Sequence, residues 1–341
     1  MKNKKWISLA AAVIFAVTAL PATVFAAKNG ESKEELTKVT LNEVAHSIFY
    51  APQYVAIEEG YFAEEGLDLT LVTGFGADKT MTAVISGEAD IGFMGAEASI
   101  YAYQEGATDP VVNFAQLTQR AGNFLVAREE MPDFTWDELR DKRVLGGRKG
   151  GMPEMVFEYI LKNHNIDPAS DLEIDQSIDF GSTAAAFTGD MSADFTVEFE
   201  PSATLLEQQG EGHVIASLGV ESGYVPYTAY CAKKSYIKKN PDVIQKFTNA
   251  TQKGLDYVNT HSSAEIAAII APQFKETDIA TITAIVERYK SQDTWKTSTV
   301  FTEDSFNLLQ DILTQAGELK SPVPYSSLVT TEFSEKALNK Q

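Results

Sequence analysis

The residues best placed to do chemistry are carboxylates and aromatic rings that close apolar runs. Glu97 follows the run Ile91–Gly95, and Glu198 and Glu200 flank Phe199 at the end of another. Two residues apart on a strand, Glu198 and Glu200 point to one side, which offers a ring amine or ammonium a partner or else forms a solvated edge. Phe49 and Tyr50 follow a first apolar run, Phe75 stands between Gly74 and Gly76, and Tyr227 belongs to a segment with Tyr224 and Tyr230. Rings at such positions sandwich a flat or apolar ligand, each pair adding about 0.5–1.5 kcal/mol beyond area burial. The alternative is core packing, the better reading for mid-strand Phe93. Glu97 in a first helical turn either contacts a ligand or complements its own helix dipole. Arg120, after Gln119 at a strand end, pairs a sulfonate or carboxylate or else bridges two lobes. Arg148 and Lys149, among four glycines, form an anion nest or an exposed loop pair.

Other chemistries are poorly served. The four histidines, His46, His164, His213 and His261, show no i, i+4 or metal-ligand spacing. Cys231 is the only cysteine, so no internal disulfide or thiolate cluster forms. There is no Gly-x-Ser-x-Gly and no phosphate-binding loop, and Gly146–Gly150 is too weak a pattern for a dinucleotide. The expectation is a non-enzyme without cofactor or metal.

The elements that must position these residues are strand–helix units. Gly87–Gly106 reads as a buried strand that breaks at Gly95 and restarts as a helix closed by Gly106. Gly189–Gly210 repeats the plan: Ala89-Asp90 matches Ala193-Asp194, and sixteen residues separate the Asp from the closing glycine in both copies. Each copy offers a helix N-terminus at the carboxyl end of a strand, where open α/β sheets bind ligands. Alternating strands and helices predict α/β architecture with largely parallel sheets, and a mainly helical region from Asn240 onward. Loops expected to line a cleft are Phe49-Tyr50, Gly74-Phe75-Gly76-Ala77 and Gly95-Ala96-Glu97 on one side. Opposite stand Gly146 to Met152, with Gly150, Gly151 and Met152 nearest the next helix, and Glu198-Phe199-Glu200. Tyr227 and Gln119-Arg120 lie near the crossings between lobes. The expected domains are residues 37–126 plus 230–341 for the first lobe and 127–229 for the second.

Lys2, Lys4 and Lys5, the apolar run Trp6–Leu20, Pro21 and the small residues before Ala26 read as a secretory signal peptide over residues 1–26. Residues 27–36 read as a mobile leader. No cysteine follows the apolar run, so a lipid anchor is not expected; the mature protein is expected to be extracytoplasmic, monomeric and free of membrane insertion. Removing the three lysines takes the net charge from −20 to −23, which repels nucleic acid and anionic lipid alike.

The runs Tyr50-Ala51-Pro52-Gln53-Tyr54-Val55-Ala56, Glu59-Gly60-Tyr61-Phe62 and Glu65-Gly66-Leu67-Asp68-Leu69 resemble the opening of solute-binding proteins of ABC importers. The subfamily is the one that includes binders of aliphatic sulfonates, taurine and thiamine pyrimidine precursors. Gly87-Glu88-Ala89-Asp90-Ile91-Gly92 and Phe199-Glu200-Pro201 resemble its later signatures. The resemblance implies a type II periplasmic-binding-protein fold, two α/β lobes closing on a small molecule, and a membrane permease as partner. Its thiamine-precursor binders tend to carry a histidine where this chain has Tyr50. The ligand expected is a heteroaromatic such as a pyrimidine-type precursor, or an organosulfonate. Two alternatives stay open: a sensor domain of a membrane receptor, and a pyrimidine-precursor synthase similar to a fungal branch that uses a cysteine-rich segment.

Overall fold

The computed structural model describes residues 35–339. The segment read as a signal peptide and nearly all of the expected leader lie outside the described residues. The strands are β1 (Thr37–Glu43), β2 (Leu67–Thr73), β3 (Ile91–Gly95), β4 (Val111–Thr118), β5 (Asn123–Ala127), β6 (Arg143–Leu145), β7 (Glu173–Asp175), β8 (Phe195–Phe199), β9 (His213–Ser217) and β10 (Thr228–Lys233). They form two five-stranded sheets, ordered β2-β1-β3-β10-β4 and β7-β6-β8-β5-β9. Helices α1 (Ala51–Glu58), α2 (Tyr61–Glu64), α3 (Ala77–Ser86) and α4 (Glu97–Gln104) belong to the first half. Helices α5 (Met152–Asn163), α6 (Thr183–Gly189), α7 (Ser202–Gln209) and α8 (Leu218–Glu221) follow in the second. The C-terminal region carries α9 (Lys234–Lys239), α10 (Pro241–Thr260), α11 (Ser263–Ile270), α12 (Ile279–Ser291), α13 (Glu303–Gln315), α14 (Tyr325–Leu328) and α15 (Glu332–Leu338).

The repeated stretches occupy equivalent places. β3 leads into α4 and β8 into α7, and each strand is the third of its sheet. Gly106 follows α4 at φ +86° and Gly210 caps α7 at φ +71°, the left-handed turn that glycine adopts without a Cβ penalty. All five residues of β3 are buried, so it reads as a continuous apolar run rather than an alternating one. Phe93 stacks on Tyr230 with centroids 4.2 Å apart, and Tyr230 donates to Gln53 Oε1 at 3.0 Å. Tyr230 is therefore a core residue of the first sheet, not a cleft residue.

The expectation of largely parallel sheets needs correction at the crossings. β1, β2 and β3 are parallel, as are β6, β7 and β8. β10, arriving from the second sheet, is antiparallel to β3 and β4; β5, arriving from the first, is antiparallel to β8 and β9. The neighbouring strands end at the cleft, whereas a crossing strand starts there, so it must run the opposite way. The crossings also fall earlier than the sequence boundaries. Asn123–Ala127 pairs entirely within the second sheet, and Thr228 already pairs with Gly95 in the first. The C-terminal region touches both halves: Lys162 of α5 donates to Gln315 O at 2.8 Å, and Arg288 of α12 reaches the second sheet's helices.

Candidate functional site

The carboxyl ends of β1, β3 and β8 and the start of β10 enclose a cavity of about 320 Å³. Its walls include Phe49, Tyr50, Gly95, Met152, Glu200 and Tyr227 from the expected set. Phe199, Phe180 and the loop Val44–Ser47 also line it, with Pro153, Gly181, Ser202 and Thr228.

Rings dominate these walls. Phe49 meets Tyr227 edge-on at 5.6 Å and 86°, and lies 6.3 Å from Phe199. Phe180 meets Phe199 edge-on at 5.7 Å. Phe49 is fixed from behind: Trp295 Nε1 donates to its carbonyl at 2.8 Å, and its ring lies against Gly122, where a Cβ would come within 2.5 Å of ring carbon.

The polar groups around the rings are mostly committed. Glu43, fully buried, accepts from Gln53 Nε2 at 2.7 Å, Tyr54 at 2.8 Å, Thr73 at 3.1 Å and His46 Nδ1 at 2.8 Å. His46 also gives Nε2 to the Gln273 carbonyl at 3.0 Å. Two acceptors favour the doubly protonated ring, and the bond to Glu43 raises the His46 pKa against the cost of burial. Glu200 lies in the cavity wall, but its carboxylate is engaged by the chain itself. Its carboxylate accepts from Thr204 N at 3.0 Å and Thr204 Oγ1 at 2.9 Å and pairs with Arg288 at 2.7 Å. Glu198 and Glu200 therefore do not act together. β8 ends at Phe199, Glu200 turns to cap α7, and buried Glu198 accepts from Thr196 at 2.7 Å. Burial pushes the Glu198 carboxyl up to about 7.

Glu97 is 4 % exposed, and burial pushes its carboxyl up to about 7 against hydrogen bonds from its own N–H and that of Met152. Its first-turn position complements α4 while it reaches the first turn of α5 in the other half. Tyr101 of α4 makes a second such contact, 3.5 Å from Gly150 O.

Several expected residues stand away from the cavity walls. Gly74, Phe75 and Gly76 follow β2, an edge strand, and are tied to the end of β1 by Gly74 N to Glu43 O at 2.8 Å and Gly76 N to the carbonyl of the wall residue Val44 at 3.0 Å, so their loop borders the wall without lining it; Phe75 is 77 % exposed. Ala96 is buried in the turn into α4. Gln119 donates to Asp293 O and Trp295 O, and Arg120 to Gly219 O at 2.9 Å, with its guanidinium 4.2 Å above the Tyr224 ring. Arg120 thus forms no interlobe ion pair among the described residues. Gly150 and Gly151 shape the entry to α5, and Gly150 N donates to Glu154 at 3.0 Å, so a carboxylate of the chain already occupies the supposed anion nest. Arg148 is exposed and loosely paired, 3.9 Å from Asp78 and 3.8 Å from Asp179. Val44–Ser47 was not foreseen, nor were Phe180, Gly181, Pro153, Ser202 and Thr228. The one available signal was positional: Val44–Ser47 is the exit loop of the first strand.

Two sheets of matching order, each contributing strand ends to one shared cavity, define a two-lobed solute-binding fold. The family model described as "NMT1/THI5 like" matches residues 48–264, and the chain belongs to that family. It is 46% identical over 337 residues to the protein YtlA of Bacillus subtilis (strain 168), covering 99% of each chain. It is 26% identical over 276 residues, 80% of each chain, to the formylaminopyrimidine-binding protein of Halalkalibacterium halodurans. Among solved structures, the ligand-binding component of an ABC-type import system from Staphylococcus aureus superposes with a TM-score of 0.70 at 16% identity. That match covers 88% of this chain and 99% of the other. The shared fold is the type II periplasmic-binding-protein architecture.

Proposed function

We propose that this protein captures a small, flat, neutral or amine-bearing heteroaromatic outside the cytoplasm and delivers it to an ABC permease, acting as a monomer. The observation that carries this reading is the aromatic cavity itself, whose lining includes neither arginine nor lysine. A sulfonate held there would find one cationic candidate, His46, whose two ring nitrogens are already bonded to Glu43 and the Gln273 carbonyl, and would otherwise meet mainly ring faces, so the organosulfonate reading is the weaker one. Filled at the density of a protein interior, 320 Å³ holds a guest of about 240 Å³. That suits one substituted ring or a compact fused pair. The name of the Halalkalibacterium halodurans relative supports the same class, and the charged, apolar and small-residue segments of residues 1–26 support export. Because both sheets contribute wall residues, a bound ligand stabilises the closed arrangement and shifts the population toward it. A catalytic role finds no support in the thiol: Cys231 is buried in β10, and burial pushes it up to about 12.

Thermal-shift screening of the mature protein against pyrimidines, flavins, sulfonates and amino-acid derivatives tests this. At a hundred times Kd a ligand adds about 2.7 kcal/mol, a rise of about 4 °C for a chain of this size. Ring compounds should give that rise and sulfonates none. A rise confined to sulfonates refutes the reading.

A further inference from the structure

Residues 288–295, the end of α12 and the loop after it, are bonded to both halves and to both crossings between them. The body of α12 packs on α11 and on the turn Ile48–Tyr50, and so belongs with the first half. Toward the second half, Arg288 pairs with Glu200 at 2.7 Å and with Glu207 of α7 at 2.5 Å. Gln292 Oε1 accepts from Ser217, the last residue of β9, at 2.6 Å. At the crossing into β5, Tyr289 donates to Gly122 O at 3.0 Å, Gln292 Nε2 to Ala121 O at 3.1 Å, and Gln119 N to Thr294 O at 2.9 Å. At the crossing into β10, the Tyr224 hydroxyl bonds Asp293. Trp295 then returns to the first half, where its Nε1 donates to the carbonyl of the wall residue Phe49 at 2.8 Å.

Two connecting strands leave two halves free to bend about them, because a few residues absorb the change in φ and ψ. A third segment bonded to both halves removes that freedom unless its own bonds break. These bonds resist breaking. Tyr289, Gln292 and Trp295 are each at most 5 % exposed, so a group pulled from its partner is left buried and unpaired before water reaches it. Arg288 is the strongest tie, since both of its carboxylate bonds are charge-assisted. We propose that residues 288–295 are a third connection between the halves, a strut that fixes the angle between them before any ligand binds. Arg288 and Tyr289 are its positioning residues. Trp295 extends the same strut to Phe49, so the angle between the halves and one ring of the cavity wall are set by a single element.

The test is a spin-label distance measurement on the mature protein without ligand. Thr82→Cys on α3 and Ala185→Cys on α6, both exposed, carry one label in each half, while buried Cys231 stays unlabelled. The wild-type background should give one dominant distance. Arg288→Met should raise the ratio of longer to shorter distances about tenfold, the weight of a charge-assisted hydrogen bond, and Tyr289→Phe about fivefold, that of a neutral one. Melting of each variant reports folding, and if Arg288→Met does not fold, Tyr289→Phe decides. Folded variants that melt lower with an unchanged distance distribution overturn the proposal, because their bonds are then ordinary packing. Two separated distances of comparable weight in the wild type overturn it as well. No ligand enters the experiment, so its failure leaves the heteroaromatic reading in place.

Discussion

Replacing Glu200 by alanine should cost stability and leave ligand recognition intact. The side chain is fully buried and holds three partners: Thr204 N at 3.0 Å, Thr204 Oγ1 at 2.9 Å and Arg288 Nη1 at 2.7 Å. Arg288 is itself 27 % exposed and keeps Glu207, so the guanidinium is not stranded. Breaking a buried ion pair from one side costs roughly 3–5 kcal/mol, and the retained Glu207 partner places this case near about 3. With an unfolding entropy of about 2.1 cal/mol/K per residue over roughly 305 residues, 3 kcal/mol lowers Tm by about 5 °C. Differential scanning calorimetry measures that drop, and the ligand-induced rise in Tm should persist on the lower baseline. Glu200→Gln, which keeps an acceptor for Thr204 N, should lose less. If Glu200→Ala melts within a degree of the wild type yet abolishes the ligand-induced rise, the carboxylate serves the ligand instead of α7 and Arg288.

Phe180→Ala should weaken the ring ligand found by screening about tenfold, some 1.4 kcal/mol, with little change in the ligand-free Tm; an unchanged Kd would remove Phe180 from the wall. The buried carboxyls Glu97 and Glu198 have folded-state values of about 7, above the ordinary 4.5, so each contributes stability that is full below about pH 4.5 and lost as pH rises through 7. The denaturation midpoint should therefore fall between pH 5 and 8.5, by up to about 3 kcal/mol for each group, and Glu198→Gln should flatten the slope. His46, raised by Glu43, should titrate above 6.5 by NMR and return toward 6.5 in Glu43→Gln; its share of stability is present below pH 6.5 and fades above the folded value.

The class of fold was legible because β3–α4 and β8–α7 echo each other in sequence and occupy the same place in their sheets. Strand direction was not, since nothing in the composition of Asn123–Ala127 or Thr228–Lys233 tells which end meets the cleft. In the site, the exit-loop rule found Phe49, Tyr50, Gly95, Met152 and Tyr227, all at strand ends or helix starts beside the cavity. Glycine-rich segments say less, because glycine marks a turn and not which sheet position the turn follows; Gly74–Gly76 follows an edge strand and borders the cavity without lining it. Val44–Ser47 carries no glycine, and its one hint was its position as the exit loop of the first strand. The role of Glu200 was out of reach, since its partner Arg288 lies 88 residues away in the chain.

β10 begins at the cavity, with Tyr227 immediately before it and Thr228 already paired to Gly95. The connector between the halves is therefore also a piece of the binding wall. Any change in the spacing of the two sheets would be felt at Tyr227, because the strand that links them and the wall that would hold a guest are one stretch of backbone.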